Sequence, residues 1–486
     1  MNFTTIDFAL FFAIVFAVNW CIRRWAPAWK WFMLAASLFF YGYWDKRFVL
    51  LLLGSSVLNH LVAGGLTRLP RGWRRRSLLA LAVSLNLGSI AFFKYAGFLL
   101  RECFSVLLRF TPEADLEALY ALWFPRLDFA SGIILPVGIS FFTFQALSYV
   151  TDVYRGRMKP ADSLLDFALY LSFFPQLVAG PIVRAVDLIG QVARPVIPAR
   201  IDLSRAAFLI LGGLFKKIVV ANFLAERIVD PVFARPDLYG TWDTLFAVYA
   251  YAIQIYCDFS AYSDMAIGFC LLLGFHIPLN FDAPYLSTSI QKFWRRWHIS
   301  LSFFLRDYLY IPLGGSRKGG ELSVHRNLLI TFLLGGLWHG AGWTFIAWGA
   351  LHGVYLIVER AYAGWAAGRE KKPGGWALTF FQRCMVWHLV CFSWLFFRCQ
   401  TFSESREMLR ALTRLEATPL ILGSGVGFMI LLGYLTQYLD GSRLEPLWDR
   451  VARLHPVALG AVSALVLTVI LALGPKGVAP FIYFQF

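Results

Sequence analysis

Long apolar runs separated by short polar stretches set the pattern of this chain. Runs long enough for a helix to cross a bilayer, about 20 residues, recur along it. They fall at roughly 5–22, 30–44, 48–66, 78–100, 131–152, 164–180, 206–228, 243–275, 326–338, 342–360, 378–398, 419–438 and 456–474. The pattern predicts an all-α polytopic membrane protein with about eleven to thirteen membrane segments. Runs 164–180 and 326–338 are short and are expected to be re-entrant or only partly crossing. Such pieces are tolerated where protein or a water-filled cavity covers their backbone. A polar linker, 360–376, sets off the C-terminal residues as a peripheral addition. The expected organisation is one membrane domain: N-terminal helices (1–130), a core (131–360) and C-terminal peripheral helices (361–486). No internal repeat is visible, which argues against the usual transporter architecture.

Composition sharpens this reading. Of 486 residues, 58% are hydrophobic and 15% charged, whereas soluble domains carry about 25% charged residues. The net charge of +16 would suit nucleic acid, but the Lys and Arg lie in short loops between apolar runs. That is the positive-inside pattern, and a nucleic-acid partner is rejected. RRWAPAWK, TRLPRGWRRR and RGRMK are basic, while TPEADLEALYALWFPRLD is acidic. These loops place the N-terminus on the periplasmic side and the basic loops in the cytoplasm. MNFTTIDFAL has no basic leader and reads as a retained first span. Seven cysteines without a CxxC or metal spacing support neither a disulfide framework nor a metal site.

Candidate chemistry concentrates in two places. Residues 292–308, read as one helix at about 100° per residue, divide into two faces. Lys292, Arg295, His298, Ser302 and Arg306 share one stripe, and Phe293, Trp294, Trp297, Leu301, Phe304, Leu305 and Tyr308 share the opposite arc. That predicts an amphipathic helix lying at the cytoplasmic interface, ended by Pro312 and followed by Arg317 and Lys318. On this reading His298 is either a solvated histidine or part of a site. Arg295, Arg296, Arg306, Arg317 and Lys318 are either anchors to anionic lipid or grips for phosphate.

His339, in GGLWHGAGW, stands between apolar runs with glycines around it. A histidine at membrane depth is a functional candidate by default, and it can exchange a proton near neutrality. The alternative is a packed histidine bonded to a backbone carbonyl. Trp338 beside it joins the candidate substrate-contacting set, and His352 reads as structural. Asp258 and Asp264 lie inside an apolar run. They line a substrate path or neutralise the interfacial arginines, and Lys94 is either snorkelling or paired.

At these residues the chain resembles the membrane-bound O-acyltransferase family, and within it the bacterial alginate O-acetylation branch. The stretches that carry the resemblance are ILPVGISFFTFQALSYVTDVYRG, FFPQLVAGPIVR, YCDFSAYSDMAIG, FWRRWHISLSFFLRDYLYIPLGG and LWHGAGWTFIAWGALHG, in order over 134–353. PFIYFQF at 480–486 fits the same branch. The resemblance implies a ring of tilted helices with re-entrant segments around a central tunnel, with 131–360 as the catalytic core. It implies that His339 is the catalytic histidine and His298 a second active-site residue. His298 would orient the donor or stabilise charge developing at its carbonyl.

The implied activity is acyl transfer from acetyl-CoA or another acyl thioester at the cytoplasmic face, with no bound cofactor. The acetyl group would reach an exported polysaccharide through a periplasmic acetyltransferase or esterase-like partner, beside the polysaccharide synthesis and export machinery. The implied location is the bacterial inner membrane. Two alternatives stay open: D-alanyl or other acyl transfer from a carrier protein to a cell-wall polymer, and a non-enzymatic transporter or channel.

Overall fold

The computed structural model describes residues 1–112, 115–178, 180–194, 201–366, 375–415, 425–439, 450–451, 453, 455–474 and 481–482. The elements are helical, and no strand occurs among the described residues. The first half contains α1 (Ile6–Ile22), α2 (Ala26–Gly42), α3 (Arg47–Arg68), α4 (Trp73–Phe110), α5 (Leu116–Ser131), α6 (Ile139–Arg155), α7 (Leu164–Ser172) and α8 (Ala185–Ala193). Next come α9 (Leu203–Ala234), α10 (Thr241–Leu272), α11 (Ile290–Arg296), α12 (Ile299–Leu305), α13 (Glu321–His339) and α14 (Trp343–Ala366). The last are α15 (Trp376–Arg398), α16 (Phe402–Thr413), α17 (Val426–Tyr438) and α18 (Pro456–Leu473).

Every predicted apolar run is met by a helix. Among the described residues, four helices are long and apolar enough to cross a membrane by themselves: α3, α4, α9 and α15. The others fall short for physical reasons. Helix α7 stops after nine residues, and α10, though 32 residues long, carries Asp243, Asp258 and Asp264. The acidic stretch expected to be a loop is largely helix α5. Residues 367–374 of the polar linker lie outside the described residues, while 360–366 continue α14, and most of PFIYFQF also lies outside them.

Helix α10 is the axis of the core. It is buried almost without interruption from Ala247 to Leu271, and α9 packs along it. Charge inside this pair is neutralised locally. Lys216 meets Asp264 at 2.5 Å and Lys217 meets Asp258 at 2.9 Å. Both lysines sit in a π-turn, Phe215–Ala221. The two carboxylates therefore pair with lysines, and the expectation that they balance the interfacial arginines is corrected. A buried charge without a partner is costly, and these lysines are the nearest cations along the facing helix.

Side-chain contacts sort the helix ends into two sets. At one end Arg23 reaches Leu273 O at 2.6 Å, Arg75 reaches Tyr154 O at 2.7 Å, Arg155 reaches Asp307 O at 3.1 Å and Arg360 grips Glu321 at 2.8 Å. At the other, Tyr43 meets Asp7 at 2.7 Å, Tyr41 meets Val137 O at 3.0 Å and Arg398 meets Asp230 at 3.0 Å. Successive long helices alternate between the sets, and the first set holds the basic loops.

The crossing of α13 and α14 fixes the most important helix end. A Cβ on Gly336 would lie 2.2 Å from Phe345 O, and one on Gly349 would lie 2.2 Å from Phe332 O. Backbone packs on backbone there, as small residues permit in membrane helices. Gly336→Ala is therefore expected to destabilise the protein by about 1–3 kcal/mol through overpacking. Gly364→Ala, in the same helix pair but with nothing within 4 Å, is expected to be neutral or slightly stabilising. Unfolding in detergent checks this, and equal effects at the two sites would contradict the close crossing.

Candidate active site

His339 is the last residue of α13, three residues past Gly336, and it is buried. A helix that ends inside a core leaves its final carbonyls without intrahelical donors. Here α4 supplies them. Lys94 Nζ donates to Trp338 O at 2.6 Å and to His339 O at 2.7 Å, and Tyr95 Oη donates to Leu337 O at 2.6 Å. Lys94 is thus paired, with carbonyls as partners, and its charge suits the negative end of the helix dipole. Lys94 and Tyr95 belong to the π-turn Ala91–Tyr95, a local widening that often marks functional positions. The His339 ring is held edge to face by Trp338 at 4.8 Å, Trp348 at 5.0 Å and Phe397 at 5.2 Å.

The sequence reading of 292–308 as one interfacial helix is overturned. The helix breaks between α11 and α12, at Trp297 and His298. His298 takes φ 42° and ψ 56°, a left-handed conformation. Such backbone is unfavourable for a residue with a Cβ and persists only where surroundings impose it. Asn280 imposes it. Its backbone carbonyl accepts from Ile299 N at 2.9 Å, and its Oδ1 accepts from Ser300 N at 3.2 Å and Ser300 Oγ at 2.9 Å.

The break turns His298 out of the cationic stripe and into the core, where it is fully buried. Ser302 is left on the outside of the bend, donating to Trp297 O at 3.2 Å. The 100° periodicity could not reveal this, because the interruption depends on a loop residue remote from the stripe. Asn280 stands in HIPLNFDAP, outside that stripe.

Asn280 also fixes the chemistry of His298. Its Nδ2 donates to Ser263 Oγ at 3.1 Å, so Oδ1 is the acceptor facing His298 Nδ1 at 3.2 Å. The proton then sits on Nδ1 of a neutral imidazole, and Nε2 presents a lone pair. Nε2 is buried and has no hydrogen-bond partner. A neutral His298 can therefore accept at Nε2 but cannot donate there. Of the two roles considered for it, orienting a donor fits this state, and stabilising an oxyanion would need prior protonation.

Trp338 joins the two histidines. Its ring lies 4.8 Å from His339 and 6.1 Å from His298, with Phe141 at 5.8 Å and Phe144 stacked at 5.4 Å. A cavity of about 100 Å³ adjoins His339, lined among others by Trp44, Lys94, Gly138, Phe141, Trp338 and His339. Trp44 and the segment before Gly138 lie at the end away from the basic loops. His298 does not line this cavity. It is attached through α11, whose first residue, Ile290, donates to Glu359 at 2.7 Å at the basic end.

His352 is the structural residue expected. Trp294 Nε1 donates to its Nδ1 at 3.2 Å, so its Nε2 carries the proton, which faces Ser393 Oγ at 2.9 Å. It backs Trp348, the wall behind His339.

The cations have diverse surroundings. Arg295, Arg317 and Lys318 are exposed. Arg296 lies 3.8 Å from Asp282. Arg306 meets Asp307 at 2.6 Å, and Arg184 meets the same carboxylate at 2.5 Å. Arg155 and Arg184 each lie 5.5 Å from the Tyr308 ring, and Tyr308 Oη donates to Asp152 at 2.6 Å, near Arg157 at 3.5 Å. Four arginines thus surround two carboxylates. From Tyr308 an aromatic seam leads inward: Phe304 at 4.9 Å, then Phe144 stacked on Phe304 at 4.0 Å, then Trp338. Arg155 and Arg157 were read only as part of the basic stretch RGRMK, and Arg184 was not singled out, because all three are remote in sequence from 292–318.

Comparison with known proteins identifies the family. The family model for the membrane-bound O-acyltransferase family matches residues 161–399, which include both histidines. A probable alginate O-acetylase of Pseudomonas aeruginosa is 40% identical over 78% of this chain and 69% of its own length. One of Pseudomonas putida is 35% identical over 93% of this chain and 94% of its own length. A peptidoglycan O-acetyltransferase of Helicobacter pylori is 36% identical over 80% and 75%. The apolar helices and these relatives agree: the chain is an acyltransferase, a multi-pass membrane protein that belongs to the membrane-bound O-acyltransferase family.

Proposed function

We propose that the protein passes acetyl groups from a cytoplasmic thioester across the bacterial inner membrane for O-acetylation of an exported polysaccharide, through a periplasmic partner. The observation that carries this reading is Trp338, whose ring packs against both His339 and His298. The relatives named for alginate and peptidoglycan acetylation support the polysaccharide. The basic end of the molecule is the cytoplasmic one, so the N-terminus and the His339 cavity face the periplasm. A cysteine placed at Arg317 is expected to resist impermeant labelling in intact cells, and one at Trp44 to react. The reverse pattern would overturn the orientation.

In this mechanism the donor's phosphates are gripped at the cytoplasmic end by Arg155, Arg157, Arg184 and Arg306, a cluster richer in cation than in carboxylate. Arg295, Arg296, Arg317 and Lys318 extend its positive field. The thioester arm lies along the Tyr308–Phe304–Phe144 seam and brings its carbonyl to Trp338. An acceptor hydroxyl enters the cavity at His339. His339 takes the hydroxyl proton while the oxygen forms a bond to the carbonyl carbon. The C–S bond breaks, sulfur leaves with the electron pair, and His339 returns the proton to it. His298, with its Nε2 lone pair, orients the donor. Asp258 and Asp264, held by lysines, support the core on which His298 rests.

The test is thioester turnover in membranes containing the protein. His339→Ala is expected to lower turnover by about 10²- to 10⁴-fold with normal expression. Arg306→Ala is expected to raise the donor KM by about tenfold through loss of a charge-assisted contact. Turnover unaffected by His339→Ala would end the acyltransfer mechanism. An unchanged KM in Arg306→Ala would return that arginine to lipid anchoring.

A further inference from the structure

Gln145 is a fully buried glutamine whose two amide atoms, Nε2 and Oε1, both lack a hydrogen-bond partner. A buried polar group left unbonded costs about 1–3 kcal/mol, and an orphan of this kind asks for an explanation. Its surroundings supply one. On helix α6, Phe141, Phe144, Gln145 and Ser148 are spaced i, i+3, i+4 and i+7, which places them on one face. Phe141 and Phe144 touch Trp338, and Phe141 also stacks near His298. Gln145 therefore lies one helical turn toward the basic end from Phe141, beside the aromatic seam. Two more orphaned polar atoms border the same surface, Trp338 Nε1 and His298 Nε2. Polar groups without partners, buried among aromatic rings beside two histidines, mark the place of a ligand that brings hydrogen bonds of its own.

Resting on the donor reading above, we propose that Gln145 recognises a secondary amide in the arm that carries the donor's thioester. A pantetheine-type arm, common to acyl-CoA and acyl-carrier donors, has an amide nitrogen two carbons from sulfur. A primary amide side chain matches it: Gln145 Nε2 donates to the arm's carbonyl and Oε1 accepts from its N–H. Trp338 Nε1, a donor, is then left for the thioester carbonyl. This makes Gln145 a specificity-determining residue that selects amide-bearing thioesters over simple alkyl ones. Sites built to bond a polar group discriminate strongly against analogues that lack it.

The experiment uses two small donors in membranes containing the full chain, with His339→Ala membranes as the blank. S-acetyl-N-acetylcysteamine carries the amide, and S-propyl thioacetate does not. Wild type is expected to prefer the first. Gln145→Leu, close in shape, is expected to lower kcat/KM for the amide-bearing donor by about 10- to 100-fold and for the alkyl donor by less than about threefold, so that the preference collapses. Because the substitution removes an unbonded polar group from the core, its unfolding temperature in detergent is expected to match or exceed wild type. Equal losses on both donors, or an undiminished preference, would overturn the proposal while His339-dependent turnover left the acyltransfer reading standing. Turnover of both donors at the blank's rate in wild type would overturn both.

Discussion

A helix that stops inside an apolar protein must find hydrogen-bond donors for its last carbonyls. Everything at this site depends on how α13 meets that demand. The close crossing at Gly336 and Gly349 brings α13 against α14 and fixes its height. Lys94 and Tyr95 then take the carbonyls of Leu337, Trp338 and His339. With its backbone held on one side and its ring walled by two tryptophans and Phe397, His339 has little freedom left. Holding a reacting group in one geometry is itself a large part of catalysis.

The second histidine is placed by the opposite device, a break in the middle of an element. Asn280 gathers Ile299 N, Ser300 and the His298 ring around one side chain and its carbonyl. The left-handed turn this imposes moves His298 from an arginine-lined surface to the inner side of Trp338. The same turn leaves the arginines outside, where they join those from α6 and the segment before α8. Charge therefore accumulates at one end of the molecule and is cancelled pairwise within it, by Lys216 and Lys217 on Asp264 and Asp258. That distribution suits the proposed anionic thioester donor held at the basic end and a neutral acetyl group moving inward.

Hydropathy alone located the four described helices long and apolar enough to cross a membrane, because an apolar run in this chain has no other way to satisfy its backbone. His339 was legible for the same reason: a lone titratable ring in such a run stands out. Periodicity misled at 292–308, where a regular stripe of charge concealed a break governed by Asn280. Lys94 was visible as an anomaly, but its partners are main-chain carbonyls 244 and 245 residues away, which no local pattern encodes. Arg155 was visible only within the basic stretch RGRMK, and only the fold brings it and Arg184 to Tyr308. Gln145 carried no signal, since one glutamine among aromatics reads as a helix polar position until its amide is found without partners.

The central claim is that His339 and His298 serve one reaction across Trp338. A double-mutant cycle on thioester turnover tests it most directly. Residues acting as a unit lose activity non-additively, so His298→Ala combined with His339→Ala should be little worse than His339→Ala alone. His298→Asn, which keeps a side chain able to accept a hydrogen bond, should retain more activity than His298→Ala. Losses that simply multiply in the double variant would contradict the account and assign the two histidines to separate tasks.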